Sequence, residues 1–332
     1  MEDDIYAAID LGTNNCRLLV ARMCNDSFRV IDSYSRIVRL GEGLGDAKNE
    51  TCTLGDNAMN RTIEALMVCA EKIQKNRVTR CRSVATEACR RATNRHAFYD
   101  RVETETGIRL ETLSPEQEAQ LTLDGCRQLL TPRTSRALVF DIGGGSTELI
   151  WVDCTDPGEA RVIAMRSFPL GVVTLAETYG NDIVRRDDYD GIIGSFDAEL
   201  AGFDDDFGIS EYMLGDTIQM LGTSGTVTTL GGIYLNLSRY DRSKVDGLDM
   251  RVETIKAISD RLCKMNFQER ARNGCIGRER ADLVVVGCAI MEAIYQRWPV
   301  ITIRAADRGI REGLLLNLIS QDTSRCAETP AA

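Results

Sequence analysis

The sequence predicts an α/β protein made of two similar domains. Three observations carry that reading. Strand-like and helix-like runs alternate through most of the chain. No linker rich in Pro or Ser interrupts them. Residues 6–21 (YAAIDLGTNNCRLLVA) are echoed by residues 137–152 (ALVFDIGGGSTELIWV). Each copy is a short apolar run ending in an aspartate, then a Gly- and Ser/Thr-rich turn, then a second strand-like run. A spacing this wide is too long for a solenoid repeat and suits a duplicated domain. The boundary falls inside structure, near residues 124–136, giving domains at 1–124 and 125–332.

The elements follow in order. Strands are expected at 5–10, 15–22 and 28–39, and a helix at 56–74 with Ile63, Leu66, Met67, Ala70 and Ile73 on one face. A short strand at 82–86 leads into a helical region over 88–106. Ser114, Pro115 and Gln117 form a helix-start signature, with the Ser/Gln pair spaced as a capping box. That helix is expected to run to Leu130, with Ala119, Leu123, Cys126 and Leu130 inward. Strands at 137–142, 146–153 and 160–167 precede helices at 170–179 and 188–202. A surface loop is expected at Asp204 to Asp206. A strand at 218–222 enters the loop Gly222-Thr223-Ser224-Gly225-Thr226 and a helix to Leu235. Helices at 252–265 and 279–297, a strand at 300–303 and a helix at 308–319 complete the chain, with a frayed tail from Gln321.

Composition narrows the function classes. The formal net charge of −10 disfavours non-specific nucleic-acid binding, which needs a basic face. Charge is uneven: Lys75 to Arg95 holds seven basic residues and one acid, whereas Gly180 to Asp206 holds nine acids and two arginines. The first stretch is either a solvated face or a wall facing an anion. The twelve cysteines include no C-x-x-C pair, and many sit in apolar runs, so buried free thiols are expected. No apolar run is long enough for a membrane span. The acidic N-terminus lacks the pattern of a secretory signal, so a cytoplasmic protein is expected.

Two motifs carry chemistry. In Asp141-Ile-Gly-Gly-Gly-Ser-Thr-Glu148, Gly143, Gly144 and Gly145 would let backbone N–H groups approach an anion. Asp141 at the strand end suits a hard cation, and Mg²⁺ prefers one or two carboxylates plus phosphate oxygens. Ser146 and Thr147 can donate to phosphate, and Glu148 on the returning strand can face the same turn. A hairpin that needs glycine for positive φ remains the structural alternative. Asp10-Leu-Gly12-Thr13-Asn14 is a second such turn, and a pair of them makes two phosphate cradles.

These turns resemble those of the actin-like ATPase superfamily. Within it the chain is similar to the exopolyphosphatase/guanosine pentaphosphate phosphohydrolase (Ppx/GppA) family from about Ile5 to Ile319. The resemblance is carried, in order, by AAIDLGTNNCRLLV, VRLGEGL, ATEACRRATN, LSPEQEA, VFDIGGGSTELI, LGTSGTVTTL and ADRGIREGLL. It implies two actin-like (ribonuclease H-like) domains around an interdomain cleft, with the last helix packing back on the first domain. It further implies a Mg²⁺-dependent hydrolase acting on polyphosphate or guanosine pentaphosphate, and a homodimer. Glu118 matches the family's general base and Arg90 its phosphate-binding arginine, with Glu116 the nearest rival to Glu118. Asp141 and Glu148 match acids that hold magnesium and the attacking water, and Gly143 to Ser146 match the phosphate loop. Thr223, Ser224 and Gly225 lie in the third glycine-rich segment. Long members carry a C-terminal His-Asp metal domain; with His96 the only histidine, a short form is expected. The alternatives are a non-catalytic guanosine tetraphosphate sensor and a kinase of the same superfamily.

Overall fold

The structure is a computed structural model that describes residues 4–24, 27–44, 52–131, 134–156, 159–179, 186–215 and 218–328. The first residues of the acidic N-terminus, residues 180–185 of the acidic stretch and the tail beyond 328 lie outside the described residues. Two compact units form, one from residues 1–126 and 309–332, the other from 127–308.

The first unit contains β1 (Ile5–Leu11), β2 (Asn15–Cys24), β3 (Ser27–Ile37), α1 (Asp56–Lys75), β4 (Arg80–Ala85), α2 (Glu87–Arg91), α3 (Arg95–Thr106), β5 (Glu111–Thr112) and α4 (Pro115–Cys126). Its sheet runs β3-β2-β1-β4-β5, with β1–β2 and β2–β3 antiparallel and β1–β4 and β4–β5 parallel. α1 has Asp56 in its first turn and Lys72 and Lys75 in its last, each sign set against the helix dipole. Its buried face is Met59, Thr62, Ile63, Leu66 and Cys69. Met67 points outward, 40% exposed, because the apolar stripe runs one position to the side of the expected one. The expected helix over 88–106 breaks into α2 and α3 around Ala92, whose backbone is extended. α4 begins with the expected box: Gln117 Oε1 accepts from Ser114 N at 2.9 Å, and Ser114 Oγ accepts from Gln117 N at 3.3 Å. Ala119, Leu123 and Cys126 are buried, but α4 gives way to a 3₁₀ turn at Arg127, which leaves Leu130 half-exposed.

The second unit contains β6 (Arg136–Ile142), β7 (Thr147–Asp153), β8 (Arg161–Phe168), α5 (Val172–Tyr179), α6 (Arg186–Phe207), α7 (Ile209–Met213), β9 (Gln219–Thr223), α8 (Gly225–Tyr234), α9 (Arg242–Val245), β10 (Asp249–Arg251), α10 (Val252–Lys264), α11 (Phe267–Ala271), α12 (Val284–Arg297) and β11 (Thr302–Ala306). The sheet order is β10-β11-β9-β6-β7-β8. Read from β8 to β11, its pairings repeat the first sheet strand for strand, and β10 adds one antiparallel edge. Asp204 to Asp206 belong to α6 rather than to a loop. Asp204 accepts from Ser210 N and from the indole of Trp298, so this acid is held inside the unit as a cap for α7. α12 is buried along almost its whole length, which accounts for its largely apolar sequence, and the buried Glu292 within it accepts from Tyr189 and Lys256. It begins at Val284, after turns that the sequence reads as helix. No helix among the described residues is long and apolar enough to cross a membrane.

The last helix, α13 (Ile310–Glu328), returns to the first unit and extends through the expected frayed tail as far as Glu328. Ile310, Leu314, Leu315 and Ile319 join Tyr6, Ala8, Leu19 and Leu121 in one apolar cluster. Glycines permit the close approach of α13 to α4. A Cβ on Gly313 would sit 2.1 Å from the Leu121 carbonyl oxygen, and one on Gly125 would sit 2.1 Å from that of Gly309. Both obstacles are backbone and cannot rotate away. Gly313→Ala should therefore cost roughly 1–3 kcal/mol or more of stability, read as a lower midpoint in urea; an unchanged midpoint would show that the two helices can separate freely.

Candidate active site

The two hairpin turns share one construction. Gly12 N donates to Asn15 O at 2.9 Å, and Gly143 N donates to Ser146 O at 2.9 Å. None of Gly12, Gly143, Gly144 or Gly145 has positive φ, so the turns do not need glycine for its backbone freedom. Gly143 is needed for room, since a Cβ there would sit 2.8 Å from Ser146 O, and room is also what the residues packed on the turns require. Gly171 lies so close that a Cβ on it would be 2.4 Å from the carbonyl carbon of Gly144, and a Cβ on Gly41 would be 2.3 Å from Thr13 Cγ2. In each unit a Leu-Gly pair (Leu40-Gly41, Leu170-Gly171) presses against the turn, an echo the sequence reading missed.

The carbonyls of both turns are occupied. Val172 N and Val173 N donate to Gly143 O and Gly144 O, while Gly41 N donates to Thr13 O and Val38 N to Asn14 O. Among the described residues the N–H groups of Gly144 and Gly145 go to no backbone carbonyl. The edge the second turn can offer a ligand is thus its donor edge, which suits an anion. Thr13 and Asn14 are buried, and Asn14 Oδ1 has no hydrogen-bond partner.

Strand register lines up the acidic groups. In the second unit Ser167, Glu148, Asp141 and Thr223 form one row across β8, β7, β6 and β9. In the first unit the matching row is Ser35, Arg17, Asp10 and Val84. The two rows differ most at one place: Asp10 faces an arginine, whereas Asp141 faces Glu148. Burial pushes the Asp10 carboxyl above its usual range, with Glu312 adding to the rise and Arg17 and Arg311 opposing it. Glu148 is 2% exposed, and its Oε1 accepts from Ser146 Oγ at 2.6 Å and Ser167 Oγ at 2.7 Å.

Like charges directly opposite on a sheet repel, which makes the Asp141–Glu148 pair a natural seat for a cation. No group of three or more His, Cys, Asp or Glu among the described residues could hold a metal by itself. Asp141 and Glu148 are the two carboxylates that could hold a Mg²⁺ ion completed by phosphate oxygens.

Thr223, Ser224 and Gly225 sit at the junction of β9 and α8. The Thr223 hydroxyl donates to Arg308 O at 2.6 Å, and the Ser224 hydroxyl accepts from Thr226 N and Val227 N as the helix cap. Ser224 holds φ at 126°, a region that non-glycine residues avoid. The Thr223 hydroxyl proton is spent on structure, whereas Ser224 Oγ only accepts in these bonds and keeps an O–H that can donate to a ligand.

Arg90 and Glu118, both in the first unit, are in contact. Arg90 Nη1 donates to Glu118 Oε2 at 3.0 Å and to Leu113 O at 2.9 Å. Its other edge is held by Glu87, which the sequence reading missed: Nε and Nη2 donate to Glu87 Oε2 at 2.9 and 2.6 Å. The signal was present, since Glu87 is the single acid of the basic stretch and precedes Arg90 by one helical turn. Burial alone would push the Arg90 guanidinium down; Glu118 and Glu87 together hold it above its ordinary value. Glu118 is 6% exposed, whereas Glu116 lies on the solvent side. Arg91 donates to Leu44 O and Arg95 to Arg90 O, so both brace local backbone.

Two sheets of matching order, each with an acid-ended strand entering a close-packed turn, define a duplicated α/β protein. The chain belongs to the Ppx/GppA phosphatase family, whose model matches residues 19–322, and it is accordingly a hydrolase. It is 29% identical over 315 residues to a putative exopolyphosphatase of Haemophilus influenzae, covering 94% of this chain and 90% of that one. It is 30% identical to a guanosine-5'-triphosphate,3'-diphosphate pyrophosphatase of Aliivibrio fischeri, covering 96% of this chain but spanning only 60% of that protein. The crystal structure of the Aquifex aeolicus Ppx/GppA family member matches 96% of this chain and 98% of its own, with a TM-score of 0.76 and 28% identity. A Cytophaga hutchinsonii exopolyphosphatase shares the fold, with a TM-score of 0.83 at 23% identity over 96% of this chain and 98% of its own.

Proposed function

We propose that this chain is a Mg²⁺-dependent phosphoanhydride hydrolase that releases the terminal phosphate of inorganic polyphosphate, with guanosine pentaphosphate as the second substrate of the same chemistry. The observation that carries the reading is the buried Glu118 carboxylate in contact with the Arg90 guanidinium. A carboxylate beside a phosphate-binding fork can take a proton from water while the fork holds the anion under attack. The names of the relatives supply the substrate class.

Water attacks the terminal phosphorus in line with the bridging oxygen, and the P–O bond to that oxygen breaks. The water's proton passes to Glu118 Oε. Within the first unit, Arg90 keeps one Nη2 N–H that can donate to a phosphate oxygen; within the second, the N–H groups of Gly144 and Gly145 can donate to a phosphate oxygen. Asp141 and Glu148 would hold Mg²⁺, which when bound offsets phosphate charge. Phosphoryl transfer relies chiefly on such positioning and charge compensation. With a net charge of −10, attraction of a polyanion must come from a local strip and not from the whole surface.

The test is phosphate release with Mg²⁺ from tripolyphosphate, long-chain polyphosphate and guanosine pentaphosphate. Release from either polyphosphate supports the reading, release from guanosine pentaphosphate alone reverses the order of substrates, and release from none overturns it.

A further inference from the structure

The group beside the proposed base that no role above requires is Glu87. It is buried at the start of α2, one residue after Thr86, whose N–H donates to Leu11 O at the end of β1. The backbone under it is therefore pinned to the sheet. Its Oε2 takes two donors of Arg90, leaving Nη1 to reach Glu118 and Leu113 O. One guanidinium thus bridges two buried carboxylates.

That arrangement has an electrostatic consequence. A guanidinium alone beside a carboxylate stabilises the charged form and makes it a weaker base. A second carboxylate on the same guanidinium opposes that effect. We propose that Glu87 is a positioning residue that pins Arg90 side-on and, through its own charge, keeps Arg90 from quenching Glu118 as a base. This rests on the assignment of Glu118 as the base.

The charged groups on Glu118's own helix and on the elements beside it have partners of their own. On α4, Glu116 is hydrogen-bonded to Ser114 at the solvent side, and Asp124 accepts from Gln120 and Asn317. From α13, Arg311 and Glu312 act on Asp10 of β1. At β5, Glu111 pairs with Arg82 of β4. Only Glu87 shares Arg90's fork with Glu118 among the hydrogen bonds described.

Glu87→Gln keeps the shape and an acceptor oxygen for Arg90 but removes the charge. In this chain the acidic limb of kcat/KM against pH should move down by about one pH unit, with a lower plateau. The carboxyl carbon signal of Glu118, assigned by its loss in Glu118→Gln, should titrate at correspondingly lower pH. Glu87→Asp, which retains the charge at shorter reach, should keep the limb in place and lower kcat only. If Glu87→Gln leaves the Glu118 titration where it was, or Glu87→Asp moves it as far, the proposal fails. If Glu87→Gln does not fold, Glu87→Asp alone decides by whether its limb stays. Full activity in Glu118→Gln sinks the base assignment instead, a separate outcome because the titration is read without turnover.

Discussion

Glu118→Ala should lower kcat for phosphate release by about 10²–10⁴-fold, the range that a positioned general base contributes. KM should change far less. Glu118 lies in the first turn of α4, where a capping box fixes the helix start and Leu113 ahead of it is buried. Its carboxylate therefore has little freedom, and Oε2 accepts from Arg90 Nη1. Truncation removes the proton acceptor and also releases a donor of Arg90. That donor can turn to the substrate phosphate, so binding should hold steady or tighten while turnover falls. Glu116→Ala is the control, since Glu116 is exposed and its carboxyl is held low mainly by the Ser114 hydrogen bond. It should remain within about 3-fold of wild type, as surface substitutions usually do. Steady-state phosphate release with a melting curve for each variant checks this. Equal losses in the two variants would place the base elsewhere.

Local signals in the sequence located most of the fold. The apolar runs before Asp10 and Asp141 are β1 and β6, and Ser114-Pro-Glu-Gln is a true helix start, because strand alternation and capping are written within a few neighbouring residues. Boundaries set by tertiary packing were not legible. Asp204 to Asp206 read as a loop by charge, yet Asp204 is drawn inward by Trp298, which lies far along the chain. Met67 fits an apolar stripe on paper, but the stripe's phase is fixed by what β2 and β3 present to it. The residues around the site were legible as types and not as partners. Arg90 and Glu118 could be named from motif resemblance, but their contact depends on how α2 and α4 sit on β4 and β5. Glu87 went unnoticed for the same reason. The Leu-Gly pairs at 40–41 and 170–171 were too short to register as a repeat until the structure showed both pressing on a turn.

The comparison of the two units gives the second large effect. The same register position that holds Arg17 opposite Asp10 holds Glu148 opposite Asp141. The first unit answers its strand-end acid with a built-in cation. The second places another acid there, and that pair is the proposed Mg²⁺ seat. Glu148→Gln should raise the Mg²⁺ concentration for half-maximal phosphate release by about 10–100-fold. The amide oxygen can still accept from Ser146 and Ser167, so the hairpin is preserved. Stability should respond with the opposite sign. Without Mg²⁺ the variant should be as stable as wild type or about 0.2–1 kcal/mol more stable, because a like-charge cross-strand pair is gone. Wild type should gain thermal stability on adding Mg²⁺, and the variant should gain less. Loss of activity alone could follow from any disturbance of the turn; loss of activity together with unchanged or higher metal-free stability is specific to a cation seat. If the Mg²⁺ dependence of both activity and melting is the same in Glu148→Gln as in wild type, these carboxylates do not hold the ion.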